Sequence, residues 1–285
     1  NDRPDVSEDV RRKVLSAIKN SNYIPNNSAR DLVRTKSDAV GLVVRGVSNP
    51  FYTDIIRAIE RTITDAGFTM VMQQIGTCDD EVKCGAVMER EKRLQGIVFL
   101  GGRFDYTPAD LAMLNVPFVC CSYSNRYGTL IEGEYSSVSI ADGDTAQQAV
   151  EELYRHGHRR IAALISRPND QSISQLRYEG YVQALESHGI PVDPELVIST
   201  GGFGAKDAYR AVQEKMAENV DFTALFAIAD SMAIGAMRAL MDAGRRIPED
   251  CSVIAIDGLE LSAYIEPPLR RDFAGHGAAQ GLPRL

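Results

Sequence analysis

From Val40 onward, short apolar runs alternate with longer amphipathic segments, and this alternation constrains the fold more than any other feature of the chain. A short run of apolar residues is a strand buried on both faces, and an amphipathic stretch of helical length is the layer that covers it. Their repetition builds β-α-β units around parallel sheets. Strands are predicted at 40–45 (VGLVVR), 68–73 (FTMVMQ), 96–100 (GIVFL) and 117–121 (PFVCC), with helices near 51–66, 79–94 and 108–114 between them. A second block is predicted to carry strands at 160–165, 195–199, 224–228 and 252–256 and helices at 143–156, 173–188, 205–218 and 230–243. Gly67 and Gly96 stand where helices are expected to stop. The polar, turn-rich stretch 123–139 reads as a crossover linker between the blocks. Two open α/β sheets that face one another leave a cleft at their strand ends, the usual seat of a small ligand in this class.

Four segments emerge from this pattern: 1–37, 38–140, 141–269 and 270–285. With 44% hydrophobic and 25% charged residues the chain has the make-up of a globular protein, not a disordered one. Its five cysteines, Cys78, Cys84, Cys120, Cys121 and Cys251, form neither a C-x-x-C pair nor a set at zinc spacing, so no metal and no cofactor is expected. Cys120 and Cys121 sit in an apolar run and are expected to be buried thiols. No signal-like apolar region opens the chain, and no stretch approaches the roughly 18–20 apolar residues that span a bilayer. A reducing cytoplasm and no membrane partner are therefore expected. An enzyme is not expected either, because no nucleophile elbow, P-loop, H-E-x-x-H or Rossmann glycine fingerprint occurs. His156 and His158, around Gly157 at a helix-to-strand corner, read as structural.

The charge is uneven. Net −8 overall, the chain opens with residues 1–37, which carry eight basic side chains against five acidic ones. A basic head on an acidic body suits a protein whose head alone approaches phosphates, although a solvated helix face gives the same count. Ser7 can cap a helix with Glu8 and Asp9 in its first turn, and Val10, Val14, Leu15 and Ile18 form one apolar stripe along it. One helix cannot bury such a stripe alone, so its partners must come from elsewhere.

The run Asn22-Tyr23-Ile24-Pro25-Asn26-Asn27-Ser28-Ala29-Arg30-Asp31-Leu32 resembles the hinge of the lactose-repressor/galactose-repressor family, and Asp5-Val6-Ser7 with the helix after it resembles the third helix of that family's DNA-binding domain. Three more signatures come in the family's order: Ser48-Asn49-Pro50-Phe51-Tyr52, Gly157-His158-Arg159-Arg160-Ile161-Ala162, and Asp230-Ser231-Met232-Ala233-Ile234-Gly235-Ala236. The resemblance covers about Asn1 to Leu269. It implies an α/β, two-lobed, periplasmic-binding-protein-like core of two Rossmann-like parallel-sheet subdomains, 38–140 and 141–269, behind a partial helical DNA-binding head, 1–37. The implied function is repression of transcription by a homodimer on operator DNA, controlled by a small sugar-like effector. In the hinge, Tyr23, Asn26, Ser28, Ala29, Arg30 and Leu32 are the implied DNA contacts, with Leu32 wedged into a base step and Ala29 beside it. The family's two preceding helices, including the recognition helix that reads the major groove, have no counterpart in these residues, so weak and unselective DNA binding is expected. The Gly/Ala-rich 270–285 departs from the family's pattern and reads as a truncated or frame-shifted tail.

For the effector, the family's pocket positions fall on Phe51, Tyr52, Asp142, Arg177, Phe203 and Asp257. The resemblance implies that Asp142, Arg177 and Asp257 orient hydroxyls while Phe51, Tyr52 and Phe203 supply contact area. Plainer readings stand beside these. Asp142 and Asp230 occupy positions of helix N-caps, Arg177 could be an exposed helix residue, and Phe51 and Tyr52 could be core. Ala229, where sugar-binding members place a polar side chain, weighs against a simple hexose. A periplasmic-type sugar-binding protein remains the alternative, opposed by the basic head and hinge.

Overall fold

The computed structural model describes residues 7–20, 37–46, 50–76, 79–131, 133–169 and 171–269. Two compact units divide the chain, Asn1–Ser37 and Asp38–Leu285. The first contains helix α1 (Glu8–Asn20), whose first turn holds Glu8 and Asp9. Asp9 pairs with Arg12 and Lys13 at 3.6 and 3.3 Å. Val10, Val14 and Leu15 of its apolar stripe are 49, 51 and 58% exposed, so the stripe has no cover among the described residues. The hinge run 22–32, the Ser48-Asn49 part of the third signature and the tail 270–285 lie outside the described residues.

In the second unit the alternating pattern becomes two parallel sheets. The first runs β1 (Ala39–Arg45), β2 (Thr69–Ile75), β3 (Gly96–Leu100), β4 (Phe118–Cys121) and β5 (Ser136–Val138), in the order β2-β1-β3-β4-β5. Helix α2 (Tyr52–Asp65) packs on one face, over Leu42, Val44 and Leu100. Helix α3 (Glu81–Lys92) packs on the other, where Val82 and Met88 meet Val43, Ile97 and Phe99. The two-residue period of β1 and β3 thus supplies both cores at once. A short α4 (Pro108–Leu111) precedes β4.

The second sheet holds β6 (Ile161–Ile165), β7 (Val197–Ser199), β8 (Ala224–Ala227) and β9 (Ser252–Ala255), ordered β7-β6-β8-β9. Helices α5 (Asp142–Arg155), α6 (Ile173–Ser187), α7 (Ala205–Ala217) and α8 (Asp230–Asp242) cover it. All of β6 and β8 is buried, as the unbroken apolar runs require. Tyr181 of α6 is wholly buried too, and its hydroxyl donates to the Ile161 carbonyl at 2.9 Å.

Most strands and helices stand within a residue or two of their predicted places, but four expectations change. Ser136–Val138, inside the supposed linker, pairs in parallel with β4 as an exposed edge strand. Two serines and a single valine, all exposed, make no apolar run, so periodicity could not show it. The strand expected at 195–199 begins with a 3-10 turn, Pro194–Leu196, because Asp193 accepts a hydrogen bond from the Glu195 N–H and Pro194 favours a helical start. Helix α3 ends at Arg93, which takes the left-handed conformation with φ 52°, so Gly96 opens β3 instead of ending the helix. Helices α5 and α8 are entered from Ala141 and Ala229, not from aspartate caps.

Candidate functional site

The crevice between the lobes lies at the carboxyl ends of strands from both sheets, the position expected for open parallel sheets. Its first-lobe wall is Arg45 at the end of β1 and Gly46 after it, Phe51 and Tyr52 at the start of α2, Gly101, Gly102 and Phe104 after β3, and Ser122 after β4. Ser172, Ile173, Arg177 and Phe203 form the second-lobe wall. Helix α6 belongs to the second lobe but touches both. Ile173 and Leu176 pack on the first-lobe core that contains Phe104, Tyr106 and Tyr123. Phe104 N–H donates to the Gln171 carbonyl at 2.8 Å, and the Tyr127 hydroxyl donates to Glu179 Oε1 at 2.7 Å.

Arg177, one turn further along α6, turns into the second lobe and is 1% exposed, so the reading of it as a surface residue is wrong. Its Nε donates to Asp142 Oδ1 at 2.9 Å and its Nη1 to Asp257 Oδ1 at 2.9 Å. Nη1 also donates to the Ile228 carbonyl in a short contact. Burial disfavours the guanidinium charge, but Asp257 and Asp142 outweigh it and push its pKa up. Burial raises both carboxylates above the usual aspartate range, with Arg177 pulling each back. The closeness of α5 and α6 makes this fork possible. At Gly180 a Cβ would collide with the Gly143 carbonyl and lie 2.9 Å from Ala146 Cβ, so only glycine lets Arg177 reach Asp142 in this packing.

Of the six residues singled out from sequence, Phe51, Tyr52, Arg177 and Phe203 line the crevice. Asp142 and Asp257 do not: they stand behind Arg177 as its counterions. The remaining guanidinium nitrogen, Nη2, has no hydrogen-bond partner among the described residues, and Arg177 is part of the crevice wall. The two aspartates thus spend the other two arms of the fork and orient the third. Tyr52 is buried, and that burial pushes its pKa up to about 12, with a hydrogen bond to Ser122 opposing the shift. The phenol therefore stays neutral at physiological pH.

Asp230, expected as a cap, does something else. Its Oδ2 accepts from the Leu259 N–H at 2.8 Å and the Ser262 hydroxyl at 2.5 Å, and its own N–H donates to Asp257 Oδ2 at 3.3 Å. It ties the loop after β9 to the arginine cluster. Ala229 is fully buried and forms no part of the wall. His158 is structural as expected, bridging Thr223 Oγ1 and Ser252 Oγ at 3.0 Å each.

Sequence reasoning missed Arg45, Phe104, Ser122 and Ser172. Arg45 Nε lies 3.5 Å from Glu81 Oε2, a carboxylate 1% exposed whose pKa burial raises while Arg45 pulls it back. Arg45 ends β1, Ser122 and Phe104 stand within a few residues of a strand's carboxyl end, and Ser172 caps α6. The signal for the first three was their position at the carboxyl end of a predicted strand, where open parallel sheets bind their ligands.

Two lobes that both contact helix α6, with an apolar crevice and the Arg177 fork at their strand ends, define a ligand-binding core. Residues 150–270 match the family model described as a periplasmic binding protein-like domain. The transcriptional regulator MalR of Clostridium butyricum is 38% identical over 273 residues, 94% of this chain and 80% of that protein. The repressor CytR of Escherichia coli K12 is 31% identical, over 93% of this chain and 76% of its own length. Among solved structures, the complex of the regulator CelR with cellobiose superposes with a TM-score of 0.69 at 31% identity, covering 93% of this chain and 79% of that one. The Lac repressor dimer bound to operator and an anti-inducer superposes at 0.73 with 26% identity, covering 94% and 80%. The chain belongs to the lactose-repressor/galactose-repressor family and is a transcriptional regulator, which sets aside the periplasmic alternative. No helix among the described residues is long and apolar enough to cross a membrane.

Proposed function

We propose that the chain is a cytoplasmic repressor that acts as a homodimer on operator DNA and is controlled by a sugar or sugar derivative bound in the crevice. The observation that carries the reading is the Arg177 fork, with two arms held by Asp142 and Asp257 and the third left for a ligand hydroxyl. Phe51, Tyr52 and Phe203 give the apolar contact area for the C–H face of a ring. The Lac repressor, solved with operator and anti-inducer, and CelR, solved with cellobiose, support operator DNA and a saccharide as partners. The implied DNA contacts Tyr23, Asn26, Ser28, Ala29, Arg30 and Leu32 lie outside the described residues, and their role rests on the resemblance.

Control arises from the volume of the crevice. It holds about 50 Å³, less than the roughly 300–1,000 Å³ of ordinary small-molecule pockets, so a ring enters only if the lobes change their separation. A ligand that binds one separation better shifts the population toward it, and a coupling of about 1–3 kcal/mol changes operator affinity several-fold to a hundred-fold. Titration calorimetry of the full chain against a panel of carbohydrates and nucleobases tests the reading. Heat is expected with at least one saccharide. Arg177→Lys is expected to weaken that binding about tenfold to a hundredfold, the worth of a charged hydrogen bond. No heat with any member of the panel overturns the reading.

A further inference from the structure

The stretch between β4 and β5 does more than join two strands. It leaves β4 through Ser122, in the left-handed conformation with φ 53°, and is fastened to the first lobe as a strap. Tyr127 N–H donates to the Phe104 carbonyl at 2.8 Å and Thr129 N–H to the Tyr106 carbonyl at 3.0 Å, so two backbone hydrogen bonds bolt the strap to the segment after β3. Asn125 braces it from within: its Oδ1 accepts from the Tyr123 hydroxyl at 2.9 Å and its Nδ2 donates to the Leu130 carbonyl at 3.4 Å. At Gly128 a Cβ would lie 2.3 Å from the Tyr106 carbonyl oxygen, an approach that only glycine allows.

This rigid strap presents one side chain to the other lobe. The Tyr127 ring packs on the first-lobe core while its hydroxyl donates to Glu179 of α6 at 2.7 Å. A hydrogen bond to a carboxylate is about twice as strong as one between neutral groups. From the second-lobe side, Gln175 Nε2 donates to the same Glu179 Oε1 at 3.5 Å and orients it. Arg126 Nε stands 3.9 Å from Glu179 Oε2, but its side chain is 61% exposed, and ion pairs of that kind contribute little. An open groove of about 810 Å³ flanks the contact, bordered by Arg126, Tyr127, Tyr178 and Glu179, so the lobes can part there without leaving a void.

We infer that Tyr127 and Glu179 form an interlobe latch, in which the strap holds the phenol hydroxyl against α6 and so sets how readily the lobes separate. Tyr127 is a positioning residue outside the crevice. Its regulatory consequence rests on the effector-controlled function proposed above, whereas the latch itself is open to test without any ligand.

Amide hydrogen exchange of the full, ligand-free chain, resolved to single residues, reads the latch. The Phe104 N–H donates across the lobe boundary to the Gln171 carbonyl and is exposed when the lobes part. The Thr129 N–H reports on the strap itself, and the amides of β8 report on the second-lobe core. Tyr127→Phe keeps the ring and removes the hydroxyl. It is expected to speed exchange at Phe104 about tenfold, the low end for a hydrogen bond to a charged group, because the Glu179 side chain is 30% exposed. Thr129 and β8 are expected to stay within about twofold of the parent, as is Phe104 in Arg126→Gln. Adding Glu179→Gln to Tyr127→Phe should speed Phe104 no further. Unchanged exchange at Phe104 in Tyr127→Phe overturns the latch. So does acceleration at Thr129 or β8 by the same factor, which makes the hydroxyl a support of one lobe only, or a larger effect from Arg126→Gln than from Tyr127→Phe. Failure of the latch leaves the effector reading standing, and failure of the carbohydrate panel leaves the latch standing.

Discussion

Replacing Arg177 by methionine tests the buried cluster most directly. The substitution removes the guanidinium from between Asp142 and Asp257, which are 5 and 6% exposed, and leaves the Ile228 carbonyl without its donor. Breaking a buried pair by deleting one partner costs about 3–5 kcal/mol, because the remaining charge keeps its desolvation and loses its compensation. The carboxylates have one escape, which is to take up protons. From the ordinary aspartate value of 3.8, protonation at pH 7 costs about 4 kcal/mol per group, at about 1.4 kcal/mol for each pH unit. Linkage gives the sign. In the variant the folded-state carboxylates have pKa values raised further above the unfolded value, so the folded state binds more protons and gains stability as pH falls toward the unfolded pKa. Urea unfolding followed by circular dichroism is therefore expected to show a loss of about 3–5 kcal/mol at pH 7. The gap to the parent should shrink by about 3 kcal/mol at pH 5 for one proton taken up. Arg177→Met combined with Asp142→Leu and Asp257→Leu should recover most of the stability, since an apolar replacement leaves no charge to desolvate, but should not recover ligand binding. A loss below about 1 kcal/mol at pH 7, or a gap that does not change with pH, refutes the reasoning.

Two further outcomes are expected. Gly180→Ala drives a methyl group into the Gly143 carbonyl and separates α5 from α6, costing about 3 kcal/mol and lowering the melting temperature by about 6–12 °C; a calorimetric scan with an unchanged transition would remove the helix approach from the account. The Cys120 and Cys251 thiols, pushed up to about 12 by burial, should resist iodoacetamide at pH 8 in the native protein and react in urea, as read by peptide mass spectrometry. Rapid labelling of either in the native state would contradict the burial of these two side chains.

The parallel-sheet architecture was legible because buried strands and covering helices differ in both length and period. IAALI at β6 and ALFA at β8 can be little else when each is succeeded by a helix-length amphipathic stretch. Edge strand β5 was not legible, since Ser136–Val138 is exposed and its place comes only from pairing with Val119–Cys121. Helix ends were placed less surely. The helix stop expected at Gly96 comes at Arg93, a non-glycine residue in the left-handed conformation that residue type alone does not predict.

For the site, the family resemblance named Phe51, Tyr52, Arg177 and Phe203 but not Arg45, Phe104, Ser122 or Ser172, and it did not say what each residue does. Phe51, Tyr52, Arg177 and Phe203 come to one crevice because each lies past a strand end or near the start of a helix there. That Asp142 and Asp257, 115 positions apart in the numbering of the chain, spend their charge on Arg177 while Asp230 spends its own on Leu259 and Ser262 was decided by tertiary structure alone. A carboxylate out of water takes the nearest donors that packing brings to it, and a linear sequence carries neither those distances nor the dielectric that makes them matter.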